Sequence, residues 1–378
     1  MSPIRILHVL ATLDRGGAES MLMSLYRNID KDRFQFDFVV NDDKAYYAFE
    51  DEIKALGGHV YRMPRYKLYN HFSYRKAYDL FFKANHPWPI IHGHYTTAAA
   101  AYLTSAKKLG KKTIAHSHAT RTTYDGLDNR LLGLFVRFSK ILTLYPLRFL
   151  PDYLFACSVT AGKFMFGAKR PVTIINNAVD ITLFKYDSIA REEMRQTLGL
   201  GAQYTLGHVA RFSLVKNQTF ILDIFYELKK QLPDIKLILV GEGQLLEEVK
   251  EKARKLGLQK DVIFTGARGD VHRLMQAMDI YLFPSTHEGL PVVAIEAQAA
   301  SLPCLFSDRI TDEVVLTDSA LLLPIDKGVT PWVDEILRQQ QMPVKTDNHL
   351  VIKNKGYDIA TESARLMELY QAMLEGAA

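Results

Sequence analysis

Short runs of apolar, β-branched or aromatic residues alternate with helical-period segments along most of this chain, and few folds accommodate that alternation. In the first half the runs are I-R-I-L-H-V-L (4–10), F-Q-F-D-F-V-V (34–40), H-V-Y-R-M (59–63), P-I-I-H-G-H (89–94), K-T-I-A-H-S (112–117) and Y-L-F-A-C-S (153–158). In the second they are Y-T-L-G-H-V-A (204–210), I-K-L-I-L-V-G (235–241), V-I-F-T-G (262–266), I-Y-L-F-P-S (280–285) and P-C-L-F-S-D (303–308). Such a pattern reads as βαβ units on parallel sheets. Two successive sets, in a chain of 378 residues, predict an α/β protein of two Rossmann-like, doubly wound domains. Facing sheets of this type would leave a cleft at the carboxyl ends of their strands, where open α/β sheets bind ligands. The expected boundaries are 1–185 for the first domain and 186–355 for the second. A closing helix, 356–378, has apolar residues at Ile359, Leu366, Leu369, Met373 and Leu374 and is expected to pack back on the first domain.

Charge is unevenly spread. The net of +5 divides into +10 over residues 1–180 and −5 over the remainder, so the halves are expected to meet different partners. No helix-turn-helix, zinc-ligand spacing or aromatic RNA-binding signature accompanies the basic half, and nucleic acid is not an expected partner. An anionic membrane surface or a phosphorylated acceptor fits that charge as well. The segment 129–151, strongly apolar with Arg130, Arg137, Lys140 and Arg148 interspersed, reads either as a core crossover helix or as a basic amphipathic helix at a membrane surface. No signal-peptide pattern and no apolar run of ~20 residues is present, and Cys157 and Cys304 lie in separate apolar segments. A cytosolic protein with reduced thiols, peripheral at most to the inner face of a membrane, is expected.

Several loops at strand ends carry chemistry. In H-E-G-L-P-V-V-A-I-E-A-Q-A-A (287–300), Pro291 suits the first position of a helix starting near Leu290. The first turn of that helix offers unpaired N–H groups to an anion. Glu288 precedes it and Glu296 lies about a turn and a half inside; either acid alone could simply complement the helix dipole. R-F-S-L-V-K puts Arg211 and Lys216 at another helix start, as solvated charges or as a clamp on a diphosphate. Gly16 and Gly17 permit a tight turn after the first strand. V-G-E-G (240–243) lacks the third glycine of a dinucleotide loop, so NAD is not expected. The pairs His92/His94 and His116/His118 sit at strand ends without a convincingly spaced third ligand, so no metal is expected. Asp30-Lys31-Asp32 falls between a helix end and a strand start, where a surface turn is common.

Taken in order, G-G-A-E (16–19), N-N-A-V-D (176–180), R-F-S-L-V-K, V-G-E-G and F-P-S-T-H-E-G-L-P-V-V-A-I-E-A-Q-A-A (283–300) resemble the GT-B glycosyltransferases of family 4, many of which build bacterial polysaccharides. The resemblance spans nearly the whole chain. It implies a retaining, metal-independent transferase that moves a hexosyl or N-acetylhexosaminyl group from a nucleotide diphosphate sugar, UDP-linked by preference, to a glycan acceptor. The basic first half would suit a lipid-linked, phosphate-bearing acceptor, as in capsule or exopolysaccharide assembly. By the same resemblance Glu296 would hold the ribose hydroxyls and Glu288 the donor sugar. The backbone of Gly289, Leu290, Pro291 and Val292, with Arg211 and Lys216, would hold the diphosphate, and the Gly16–Gly17 loop would border the donor. His116, then His118, would line the cleft beside the sugar, with His118 and His94 on the acceptor side. Asn217, Ser301 and Ala178 stand where the family usually has glycine. A nucleotide-sugar epimerase of the same fold, or a non-catalytic partner of another transferase, would share the donor residues.

Overall fold

The computed structural model describes residues 2–14, 16–42, 44–85, 87–118, 143–342 and 347–376. The chain forms two compact units, one comprising Met1–Asn177 with Ile359–Ala378, the other Ala178–Asp358.

Unit 1 is built on a seven-stranded, all-parallel sheet of order β3-β2-β1-β4-β5-β6-β7. Its strands are β1 (Ile4–Leu10), β2 (Phe34–Val40), β3 (Val60–Arg62), β4 (Ile90–Gly93), β5 (Lys112–Ser117), β6 (Tyr153–Ala156) and β7 (Thr173–Ile174). Sequence order reverses between β1 and β4, the switch point of a doubly wound sheet. On one face Leu7, Val9, Val39, Ile91 and Ala115 join the core formed with Tyr74, Tyr78 and Tyr102. On the other, the helix Ile359–Glu375 lies against the helix Gly17–Asn28, and the Ser363 hydroxyl donates to Leu25 O at 3.5 Å. Tyr370 is fully buried there, with its ring beside Phe34 and Phe36.

Unit 2 repeats the plan with six parallel strands in the order β10-β9-β8-β11-β12-β13. These are β8 (Tyr204–Val209), β9 (Ile235–Val240), β10 (Val262–Gly266), β11 (Ile280–Phe283), β12 (Cys304–Ser307) and β13 (Ala320–Leu323). Its switch point lies between β8 and β11. The chain enters this unit through N-A-V-D: the Val179 N–H donates to Tyr357 O at 2.9 Å, while Ile181 and Phe184 fill its core.

The two doubly wound sheets agree with the sequence reading, with two strands missed. β7 is only two residues long, and β13 is an A-L-L-L run without the β-branched residues that mark strands. Asp30 and Asp32 form an exposed turn in which the Asp32 N–H donates to Asp30 Oδ1 at 3.0 Å. Residues 129–142 of the basic amphipathic segment lie outside the described residues; Tyr145–Arg148 is a short 3-10 turn. No helix among the described residues is long and apolar enough to cross a membrane.

Removing the buried ring in Tyr370→Ala should cost unit 1 about 3–5 kcal/mol, the usual cost of truncating a buried aromatic. The expected result is unfolding at a lower urea concentration than in the parent protein.

Candidate active site

The loops leaving β8 and β11 diverge at the unit 2 switch point and carry most of the candidate residues. After β8 the chain makes a 3-10 turn, Leu214–Lys216, and then enters the helix Gln218–Lys229 through Asn217. Asn217 is left-handed, with φ 56°, a conformation that asparagine tolerates better than most residues. Its side chain does what glycine could not, donating Nδ2–H to Pro284 O at 3.3 Å. The Thr286 N–H adds a bond to Val215 O at 2.8 Å, so the two loops are stitched together. Ser301, the other residue at a usual glycine position with positive φ (60°), likewise accepts a bond from the Asn348 N–H at 3.0 Å.

This stitching brings Lys216 to Glu288. Lys216 Nζ lies 2.6 Å from Glu288 Oε1 and 4.8 Å from the centre of the Phe283 ring, with both charged side chains largely buried. That oxygen is ion-paired off the hydrogen-bonding direction and receives no directed hydrogen bond. Arg211, in contrast, is exposed and has no carboxylate partner among the described residues. Of the two cations, one is held by an acid and one is available to an anion.

V-G-E-G has a structural role. Gly241 and Gly243 have φ of 133° and 155°, and a Cβ on either would collide with Ala210 O or Phe212 O. The loop lies directly under residues 210–212, and the Phe212 N–H donates to Glu242 O at 2.9 Å. The glycines therefore position the Arg211 backbone. Gln218, missed in the sequence, supports the same segment from the other side by donating Nε2–H to Arg211 O at 3.0 Å. Buried His208 completes the support: its Nδ1 is 2.8 Å from Leu282 O, and burial lowers its pKa to about 4. The ring is therefore neutral, with its proton on Nδ1. No residue pattern around a single histidine in Y-T-L-G-H-V marks this role.

After β11 the helix spans Val292–Ala299. Pro291 is its N-cap, extended at ψ 117°, and not its first helical residue, which corrects the expected start near Leu290. The fixed proline φ suits either position, so sequence does not distinguish them. No side chain caps this N-terminus, and a Cβ on Gly289 would meet nothing within 4 Å. Glu296 is half-buried, its carboxyl has no partner among the described residues, and burial pushes it up to about 7. Ser285 Oγ and Gln218 Oε1 are also buried without hydrogen-bond partners among the described residues.

Unit 1 holds the second group. Gly16 is the extended N-cap of Gly17–Asn28, and Gly17 is exposed, with open space where a Cβ would stand. H-G-H and H-S-H alternate as strands require, so each pair shares one face of the sheet. The register β1–β4 sets His8 beside His92 on that face. His8 Nδ1 is 3.0 Å from His94 Nε2, and His94 Nδ1 is 2.8 Å from His118 Nε2. His92 Nε2 is 3.1 Å from His116 Nδ1, with Tyr370 Oη 2.6 Å from His92 Nδ1. Burial lowers all five, His8 to about 3 and His118 to about 4, so the rings are neutral. His116 is buried in β5, whereas His118 is the more exposed of the favoured pair. The fold brings together two groups of three histidines that could hold a metal ion, a proximity that sequence spacing does not show: His8 with His92 and His94, and His94 with His116 and His118.

Two doubly wound sheets in one chain, the second with cations and carboxylates at its switch point, define a protein of the GT-B class. Residues 15–183 match the family described as Glycosyltransferase Family 4, and residues 190–321 the one described as Glycosyl transferases group 1. EpsF of Bacillus subtilis (strain 168), which carries a glycosyltransferase name, is 33% identical over 387 residues, covering 98% of this chain and 97% of EpsF. The UDP-Gal:alpha-D-GlcNAc-diphosphoundecaprenol alpha-1,3-galactosyltransferase of Escherichia coli is 29% identical over 142 residues, 36% of each chain. The crystal structure of Anabaena HepE in complex with UDP shares the fold at a TM-score of 0.79 and 18% identity, over 98% of this chain and 100% of that one. This chain belongs to the family 4, group 1 glycosyltransferases.

A carboxyl raised to about 7 holds its proton in the folded chain at pH values where the unfolded chain has lost it. Stability contributed by this group therefore falls as pH rises from about 4.5 to 7, by up to ~3 kcal/mol. Glu296→Gln should raise the unfolding temperature of the ligand-free protein at pH 8 and leave it unchanged at pH 4.5, as read by calorimetry.

Proposed function

We propose that this chain transfers a hexosyl or N-acetylhexosaminyl group, with retention of anomeric configuration, from a UDP-sugar to a hydroxyl of a lipid-linked glycan in capsule or exopolysaccharide assembly. The observation that carries this reading is Glu296, a half-buried carboxyl without a partner among the described residues, about a turn inside an uncapped helix whose preceding loop holds the Lys216–Glu288 pair. A carboxylate in that state accepts two hydroxyls, as the vicinal pair of a ribose offers. The helix N-terminus, Arg211 and Lys216 supply the positive field for a diphosphate, without a metal bound to it. The UDP complex of HepE and the UDP-galactose donor named for the E. coli relative support uracil as the base and diphosphoundecaprenol as the kind of carrier.

In the reaction the bond from C1 to the diphosphate oxygen breaks, and the acceptor oxygen bonds to C1 on the same face. Its proton passes to the departing phosphate. Negative charge grows on the diphosphate as this happens, so cations aimed there stabilise the transition state more than the bound donor. Arg211 is available from the outset. Lys216 turns from Glu288 to phosphate, which frees Glu288 to accept hydroxyls of the donor sugar. In unit 1, His118 and His94 serve the acceptor side. Peripheral contact with anionic lipid through the basic unit 1 would present the acceptor, and charge reversal of Lys107, Lys108, Lys111 and Lys112 should then reduce sedimentation with acidic vesicles.

The direct test is thermal unfolding with UDP, GDP, ADP or NAD, each with and without EDTA. UDP should raise the midpoint by an amount that grows with its concentration and is unaffected by EDTA, and Glu296→Ala should remove most of the shift. Arg211→Ala should lower kcat with the productive UDP-sugar by ~10²-fold or more, with a smaller change in KM. Stabilisation by NAD alone, or by none of these nucleotides, would overturn the reading.

A further inference from the structure

We propose that His94, His116 and His118 form a binding site for a divalent transition-metal ion, Zn²⁺ foremost, at the ends of β4 and β5 in unit 1. The proposal goes beyond glycosyl transfer and does not depend on it.

One ring nitrogen of each of these three residues lies within 4.8 Å of those of the other two. Proton accounting shows what those nitrogens have to offer. With a proton on Nε2, His94 donates to His8 Nδ1 across 3.0 Å and keeps a lone pair on Nδ1. With a proton on Nδ1, His116 donates to His92 Nε2 across 3.1 Å and keeps a lone pair on Nε2, a buried atom with no partner among the described residues. His92 donates its Nδ1–H to Tyr370 Oη at 2.6 Å. In this arrangement the lone pairs left over belong to different histidines; the opposite one, with His8 Nδ1–H donating to His94 Nε2 and His94 Nδ1–H to His118 Nε2, meets the same contacts, and a bound cation would select the first.

His94 Nδ1 and His118 Nε2 point at each other across 2.8 Å, which two imidazole nitrogens do only around a shared proton or a shared cation. Around Zn²⁺, with Zn–N about 2.0–2.1 Å, ligand nitrogens stand roughly 3.3 Å apart, so this pair would open by about half an ångström. Metal-bound histidines typically donate their other N–H to an outer partner that fixes their orientation. Here His8 stands behind His94, and His92 with Tyr370 stands behind His116. Three neutral imidazoles, with water completing the tetrahedron, suit Zn²⁺ and its neighbours Co²⁺ and Ni²⁺. The site lies beside the β1–β4 switch point, the place in a doubly wound sheet where ligands gather.

The test uses the full chain without a histidine tag, stripped with EDTA and titrated with Zn²⁺ or Co²⁺. The expected result is one equivalent per chain, the intense visible absorption of four-coordinate Co²⁺, and a raised unfolding midpoint. His118→Gln, at the half-buried end of the strand, should abolish the absorption while keeping the far-ultraviolet spectrum of the parent. His8→Ala should keep the absorption but weaken metal binding about 10–100-fold, the usual effect of losing an outer partner. If His8→Ala fails to fold, Tyr370→Phe provides the same comparison from behind His92. No saturable binding by the parent, or binding unchanged in both His118→Gln and His94→Gln, would overturn the proposal and leave a network of imidazoles that shares protons only.

Discussion

The pairing of strands distant in sequence but adjacent in the sheet is the constraint on which everything else here depends. β8 lies beside β11, with Leu206 opposite Ile280, and β1 lies beside β4, with His8 opposite His92. In each unit the loops leaving such a pair belong to crossovers on opposite faces, so they part and leave space between them. Lys216 meets Glu288 for this reason, although 71 positions separate them in the sequence. The apolar faces that enforce the pairing thus also place the charges.

How much of this was legible in the sequence follows from which forces act locally. The strands announce themselves because a buried parallel strand must be apolar along its length, and most were found to within two residues. Arg211 and Lys216 stand out because a helix start disfavours positive charge unless an anion is bound, whereas Glu288 and Glu296 stand out only through the motif they share. His8 and His208 gave no signal, since a lone histidine within a strand acquires its role only from neighbours across the sheet. Pro291 could be assigned to a helix start but not to one residue of it, because ψ, not φ, separates the N-cap from the first turn. V-G-E-G resembles a dinucleotide loop only in part, and its glycines accommodate the chain's own backbone.

The residues at usual glycine positions show how context refines a pattern. Asn217 and Ser301 both adopt the left-handed backbone that explains a glycine preference, and both use a side-chain hydrogen bond that glycine lacks. Ala178 is buried beside Val179 at the start of unit 2, where a small side chain suffices. Glu296 is a different compromise: the burial that leaves its carboxyl without a protein partner weakens the empty fold near neutral pH and keeps the group available for hydroxyls.

The helix Ile359–Glu375 carries a consequence for the order of assembly. Unit 2 is one continuous stretch, Ala178–Asp358, whereas unit 1 draws its covering helix from beyond that stretch. During synthesis the first domain of a chain ordinarily folds first. Here the histidine-bearing face of unit 1 waits, with His92 lacking Tyr370, until all of unit 2 has left the ribosome. The earlier-made unit is therefore the later one to be completed.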